Sequence, residues 1–236
     1  MRGIYSSVTV VLPTYNEEGS IGKLMSAIIG RYPGISIIVA DDGSTDRTKS
    51  VVMSLARAHR RIRFLDRSSM KRRKGLTGSV IDGIMESGTK FAIVMDADMQ
   101  HPFDRIGDIS EKLDSGNDIA VAVRKSVEGW QMYRKLISKA LITLGYAELV
   151  LLGRERSSDI FSGYFGIRRR FFKNIYMKNR GRFVGEGYKI LFDILKCIRK
   201  GDAKIAEVPY AFASRKEGRS KAGARQAIAL IRSFLS

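Results

Sequence analysis

Two aspartates one residue apart, Asp96 and Asp98, follow directly on a short apolar run, Ala92 to Met95, and Gln100 stands two residues further on. An apolar run of this length bounded by polar residues reads as a buried strand. Two carboxylates at its end repel one another unless a cation lies between them, and an uncompensated carboxylate beside a core is costly. If extended backbone carries through, both side chains point to the same side. Hard oxygen donors in this pattern suit Mg²⁺ or Mn²⁺; Mg²⁺ takes one or two carboxylates and completes its shell with water and substrate phosphates. Gln100 would add a neutral oxygen. The competing reading makes Asp98 the cap of a helix starting near Phe103, just past Pro102; it accounts for one aspartate and not for two.

A second acidic cluster ends a second apolar run, where Ile35 to Ala40 leads into Asp41-Asp42-Gly43-Ser44. Carboxylates repel a nucleotide's phosphates but accept hydrogen bonds from a base or from ribose hydroxyls. Pro13 to Glu17 would form the facing wall, with Tyr15 offering a ring for a nucleobase and Glu17 an acceptor. The same stretch also serves as a turn, with Asp46 as a helix cap. Two common phosphate-binding patterns are absent. Gly19-Ser20-Ile21-Gly22-Lys23 continues with Leu24, the wrong spacing and residue for a P-loop, and no GxGxxG follows the first strand. The two histidines, His59 and His101, are too far apart in sequence to suggest a metal site, and His59 reads as helix surface.

The elements that must position these groups follow from the apolar periodicity. Val8 to Pro13, Ile35 to Ala40, Ile62 to Leu65, Phe91 to Met95 and Ile119 to Val123 read as strands. Between them, helices are predicted over Glu17 to Ile29, from Asp46 to about His59, over Gly75 to Glu86 and over Phe103 to Leu113. This alternation predicts an α/β fold, a mainly parallel sheet with flanking helices. Ligands of such sheets lie beyond the carboxyl ends of the strands, so the clusters at 14–17, 41–44 and 96–98 should converge. The second half is less regular: a long helix or two short ones over Gly129 to Leu152, a strand over Phe161 to Ile167, a helix over Gly187 to Ile198 and a strand over Ile205 to Phe212. A basic loop from Ala213 to Ala224 and a closing helix from Gln226 to Leu235 complete it. The stripe Leu136, Ile137, Ala140, Leu141 and Leu144, beside Arg134, Lys135 and Lys139, suits either packing on the sheet or lying in a membrane interface.

With 236 residues, the chain fits one domain. Its 42 lysines and arginines against 24 acidic residues give +18, more than solubility requires, so anionic partners are expected: nucleic acid, phosphorylated ligands or an anionic membrane. A nucleic-acid-binding module would account for the charge but not for acidic clusters at strand ends. The single cysteine, Cys197, excludes a disulfide framework and fits a reducing compartment. No secretory leader and no apolar run of about 20 residues is visible.

In order along the chain, PTYNE, DDGSTDRT, KGLTGSVIDG, VMDADMQHP, YRKLISK, FSGYFGIRR, EGYKILFDIL and EVPYAFASRKEGRSK resemble the motifs of family 2 glycosyltransferases with the GT-A fold. YRKLISK and SRKEGRSK are most similar to the polyprenyl-phosphate branch, the dolichyl-phosphate mannose synthase group. The resemblance spans nearly the whole chain and implies a single GT-A domain. Residues of about 1–125 would form the nucleotide-sugar half, and those of about 126–236 the half facing acceptor and membrane. It implies that Pro13, Tyr15, Glu17 and Asp42 line the nucleotide pocket, and that Asp96, Asp98 and Gln100 hold Mg²⁺ or Mn²⁺ and the sugar diphosphate. By the same resemblance Arg124 faces the diphosphate or the acceptor phosphate, Arg134 and Ser138 lie near the acceptor, and Arg215 and Lys221 close over the diphosphate.

The implied reaction is inverting transfer of mannose from GDP-mannose to dolichyl or another polyprenyl phosphate, at the cytoplasmic face of a membrane. The enzyme would be peripheral or anchored by a segment beyond residue 236. UDP-glucose is the alternative donor. Transfer to a protein or polysaccharide would instead need a general base, for which Glu186 is the candidate. The chain departs from the pattern where DDGS replaces a DDDS-type run and where Glu186 precedes Gly187-Tyr188-Lys189.

Overall fold

The computed structural model describes residues 4–69, 75–127, 132–183 and 189–212, and for 126–127, 132–138 and 212 the backbone alone. Among the described residues seven strands form one sheet: β1 (Val8–Thr14), β2 (Ser36–Asp41), β3 (Ile62–Asp66), β4 (Phe91–Val94), β5 (Ile119–Val127), β6 (Phe165–Arg168) and β7 (Ile205–Phe212). Their order is β3-β2-β1-β4-β6-β5-β7. Every pairing is parallel except those of β6, which runs antiparallel to both β4 and β5. The other six strands therefore point the same way, and their carboxyl ends share one edge of the sheet. Because β6 is reversed, the residues preceding it reach that same edge.

Among the described residues seven α-helices cover the two faces: α1 (Ile21–Arg31), α2 (Thr48–Ala58), α3 (Leu76–Glu86), α4 (Arg105–Asp114), α5 (Met132–Leu151), α6 (Arg169–Lys178) and α7 (Ile190–Lys196). The period of two along the strands divides the apolar residues between two cores. Val8, Val10, Leu12, Phe91 and Ile93 pack with Leu24 and Ile28 of α1, Val52 of α2 and Ile106 and Ile109 of α4. Val11, Ala92 and Val94 face the other way, toward Val80 and Ile84 of α3, Leu149 of α5, Phe172 of α6 and Leu191 and Phe192 of α7.

Most predicted elements are present with shifted ends. The first helix starts at Ile21 rather than Glu17, because residues 17–20 turn: the Glu17 carbonyl accepts the amides of Ser20 and Ile21. The strand foreseen over Phe161 to Ile167 is shorter, Phe165–Arg168. The long helix is continuous over the described part, Met132–Leu151. Helix α6 was not foreseen. Its apolar side, Phe172 and Ile175, follows directly on the basic run Arg168-Arg169-Arg170. Two of those arginines donate to carbonyls at or near helix ends: Arg168 to Leu113 and Asn117, and Arg169 to Met85. The expected loop and closing helix beyond Phe212 lie outside the described residues.

Gly166 of β6 lets α4 approach the sheet. A Cβ there would stand 2.5 Å from Ile109 Cγ2 and 2.7 Å from Leu113 Cδ1. Gly166→Ala is expected to destabilise by about 1–3 kcal/mol through overpacking, read as a lower urea midpoint at unchanged slope.

In the second core, Lys189 and Asp193 are buried together with Nζ and Oδ1 3.3 Å apart, their side chains 0% and 2% exposed. Burial pushes the Asp193 carboxyl up to about 6 and pulls the Lys189 ammonium down. A carboxyl raised from 3.8 to about 6 retains its proton in the folded state after the unfolded chain has released it. Stability is therefore expected to fall as pH rises from about 4 to 6, by on the order of 1–3 kcal/mol. Asp193→Asn should lose that slope in urea unfolding measured across the window.

Candidate active site

Two loops at the carboxyl edge, one after β1 and one after β2, are sewn together by reciprocal bonds. The backbone amides of Asn16, Glu17 and Glu18 donate to Ser44 Oγ, Thr48 Oγ1 and Asp46 Oδ2 at 2.8, 2.8 and 3.1 Å. In return the Thr45 amide donates to Asn16 Oδ1 and the Arg47 amide to Glu18 Oε2, each at 2.8 Å. Asn16 holds a left-handed φ of 55°, which its side chain tolerates. Asp46 also accepts the Thr48 amide at 2.9 Å, but the helix cap is Arg47, one residue later than the sequence suggested.

Asp41 is committed to this frame. It is buried and accepts from Thr14 Oγ1, from Ser44 Oγ and from the amides of Gly43 and Ser44. The pairing of Asp41 with a base or ribose is thereby corrected: its oxygens stabilise the turn, in which Gly43 takes φ 89°. Pro13 is buried within β1, in register with Ala40. The Val11 carbonyl accepts the Met95 amide, so the period of two turns Pro13 toward β4, whose ladder has already ended at Val94. The missing N–H of a proline costs nothing there. Tyr15, by contrast, is 50% exposed, and Glu17 is half-buried beside it.

Asp42 is held from two sides. Arg67, just past β3, donates to Asp42 Oδ1 at 2.5 Å, and the Gly75 amide donates to Oδ2 at 2.6 Å. The same guanidinium donates to Asp82 Oδ2 at 2.9 Å and Ser79 Oγ at 2.7 Å, both on α3. Arg67 is 1% exposed. Sequence reading missed it because a lone arginine after a strand carries no pattern of its own.

The acidic corner lies at the end of β4. Met95 and Ala97 are buried, while Asp96 and Asp98 are half-buried, so the two carboxylates share the open side as the alternation required. The backbone does not remain extended: it bends at 97–99, and Met99 takes φ 61°. Asp98 Oδ1 accepts the Gln100 amide at 3.0 Å across this bend. Helix α4 begins only at Arg105, too far for Asp98 to cap it, so the capping alternative falls. His101 is 4% exposed, between Asp96 Oδ2 at 3.1 Å from Nε2 and Tyr210 Oη at 2.9 Å from Nδ1. Its part in the site was not foreseen, although it follows Gln100 directly.

Among the described residues no three His, Cys, Asp or Glu side chains gather into a metal cage. Two carboxylates and a neighbouring amide do fit Mg²⁺ or Mn²⁺, because Mg²⁺ draws its remaining ligands from water and phosphate. Softer metals that prefer thiolate or several imidazoles do not fit.

Arg124, in register with Tyr210, makes a bidentate pair with Asp159, Nε to Oδ2 at 2.7 Å and Nη2 to Oδ1 at 2.8 Å. Despite its burial, which works the other way, Asp159, Tyr210 and Asp96 hold the guanidinium above its ordinary value. Asp159 precedes the reversed strand β6, which brings it to this edge; sequence reading did not single it out. Arg134 and Ser138 fall on α5, where the backbone alone is described. Arg215, Lys221 and Glu186 lie outside the described residues. The second half of α5 packs inward through Gly145 and Leu149 and leaves Leu144, Val150 and Leu151 exposed, as is Leu152 just past its end. Among the described residues no helix is long and apolar enough to cross a membrane.

Glycosyl transferase family 2 matches residues 9–176. The chain belongs to this family. The dolichol-phosphate mannosyltransferase of Pyrococcus furiosus is 35% identical over 220 residues, 91% of this chain and 58% of the relative. The chain thus spans just over half the length of that relative. The dolichol-phosphate mannosyltransferase of Saccharomyces cerevisiae is 28% identical over 225 residues, 90% of this chain and 80% of the relative. A crystal structure of glucosyl-3-phosphoglycerate synthase from Mycobacterium tuberculosis, in complex with Mn²⁺, UDP-glucose and glycerol 3-phosphate, has a TM-score of 0.65 at 20% identity and covers 97% of this chain and 79% of that one. The family 2 chain thus has the GT-A fold expected from its sequence, a mixed, mainly parallel seven-stranded sheet with helices on both faces.

Proposed function

We propose that this chain is the GT-A catalytic part of a metal-dependent, inverting transferase that moves mannose from GDP-mannose to dolichyl or another polyprenyl phosphate. The observation that carries the reading is the 35% identity, over 91% of the chain, with a dolichol-phosphate mannosyltransferase. The site agrees chemically. Asp96, Asp98 and Gln100 would hold Mg²⁺ or Mn²⁺, which when bound supplies Lewis-acid stabilisation to the departing diphosphate. Tyr15, Glu17 and Asp42 would bind the nucleoside, with Pro13 shaping the strand end beneath them. Arg124, beside the acidic corner, would orient a phosphate while Asp159 fixes its fork. Arg134, Ser138, Arg215 and Lys221 complete the proposed set, the first two near the acceptor and the last two over the diphosphate.

The acceptor phosphate is already ionised at neutral pH, so attack on the anomeric carbon needs no strong general base. Direct displacement inverts that carbon, and positioning and electrostatics carry the rate. In the proposal, residues of about 1–125 serve the donor and the remainder the acceptor. The exposed apolar residues of α5 would rest in the interface of a membrane at its cytoplasmic face, where the lipid-linked acceptor is found. Bound nucleic acid has no place in this reading.

A donor screen tests it. The protein is incubated with a polyprenyl phosphate and either GDP-mannose or UDP-glucose, with Mn²⁺, with Mg²⁺ or with EDTA, and lipid-linked sugar is counted. Mannolipid formed from GDP-mannose and abolished by EDTA is expected. Glucolipid alone would move the assignment to the glucose donor, and no lipid product with either donor would overturn the acceptor.

A further inference from the structure

His101 lies between a carboxylate of the acidic corner and a tyrosine of a distant strand. Its ring is enclosed by those of Tyr164 and Tyr210, with centroids at 5.1 and 5.8 Å. Asp96, as a carboxylate, can only accept, so Nε2 carries the proton of the 3.1 Å contact. A neutral imidazole that donates from Nε2 accepts at Nδ1, where the Tyr210 hydroxyl stands at 2.9 Å as its donor. In that form the chain runs from the Tyr210 hydroxyl to the imidazole and from the imidazole to Asp96 Oδ2. Tyr210 is itself fixed in β7, in register with Arg124 of β5. Gly163 stands beside the contact; a Cβ there would lie 3.4 Å from Asp96 Oδ2 and 3.7 Å from Nε2.

From this geometry we infer that His101 is a positioning residue for Asp96, with Tyr210 fixing the tautomer of the imidazole. The inference rests on the reading of Asp96 as a metal ligand. By holding Oδ2, His101 sets the rotation of the carboxylate and leaves Oδ1 for the divalent ion. Without that bond the carboxylate, whose side chain is 27% exposed, would have to be ordered at each binding event. Groups that orient metal ligands in this way change affinity by about 10–100-fold when removed. A histidine that merely satisfied the core would not affect metal affinity in a folded protein.

The test is Mn²⁺ alone, titrated against the protein and followed by the electron paramagnetic resonance signal of free Mn²⁺, at a temperature where circular dichroism shows each variant folded. His101→Leu is expected to weaken Mn²⁺ binding by about 10–100-fold, and Tyr210→Phe, which removes a single oxygen, by about tenfold. His101→Gln, whose amide nitrogen reaches toward the position of Nε2, is expected to bind nearly as the parent. Asp98→Asn serves as the reference. If it binds Mn²⁺ as the parent does, the metal reading itself is wrong. If it loses Mn²⁺ while folded His101→Leu or Tyr210→Phe retains the parent's affinity, positioning by His101 is overturned.

Discussion

Asp98→Asn is expected to lower glycosyl transfer by about 10²–10³-fold, a rise in the barrier of about 3–4 kcal/mol, while unfolding at the same denaturant concentration as the parent. The substitution is chosen for what it keeps. Asp98 Oδ1 accepts the Gln100 amide across a bend in which Met99 holds a left-handed φ of 61°. An asparagine oxygen can make the same bond, so the bend should survive. What is lost is the negative charge that, on the proposed function, would pair with a divalent ion. The side chain is half-buried at the edge of the sheet, where a neutral amide is no harder to accommodate than a carboxylate. Rates measured with GDP-mannose and polyprenyl phosphate over a range of Mn²⁺ concentrations check the prediction. Transfer at the parent's rate, with the parent's Mn²⁺ dependence, would remove Asp98 from the metal site.

The largest effect on stability is expected at Arg67. Its guanidinium is 1% exposed and bridges Asp42 to Asp82, which are 17% and 7% exposed. Arg67→Met keeps much of the volume but takes the guanidinium away from two carboxylates in a poorly hydrated place. Breaking a buried pair from one side costs about 3–5 kcal/mol, and that loss is the expected shift in unfolding free energy by urea titration. The consequence should reach the site, because Arg67 and the Gly75 amide together hold both oxygens of Asp42. Under conditions where the variant is folded, KM for the nucleotide sugar should rise more than kcat falls. Arg67→Lys should lie between, since a single ammonium cannot span Asp42, Asp82 and Ser79 as a planar fork does. Full stability in Arg67→Met would mean that neither carboxylate depends on it.

These predictions differ in how much of them the chain disclosed before it was folded. The Asp98 prediction was available from local pattern. An apolar run that stops at two carboxylates, Ala92 to Asp98, is legible because strand period and charge repulsion act over neighbouring residues. The same holds for the convergence of the clusters after β1, β2 and β4, which follows from the strand and helix alternation. Arg67, His101, Tyr210 and Asp159 were not legible. Each works through a partner far away in the chain: Arg67 with Asp42, 25 residues away, Arg124 with Asp159, 35 away, and His101 with Tyr210, 109 away.

The residue types and short spacings determined the strand and helix rhythm, the acidic ends and the metal chemistry they favour, because those depend on backbone period and on charges that are neighbours in the chain. The folded sheet alone decided that Asp41 supports a turn while Asp42 pairs with Arg67, that β6 runs backward and so delivers Asp159, and that a histidine backed by a tyrosine from a separate element holds Asp96. Such pairings depend on which buried polar groups meet once both faces of the sheet are covered, and burial is a property of the assembled structure that no local window of residues contains.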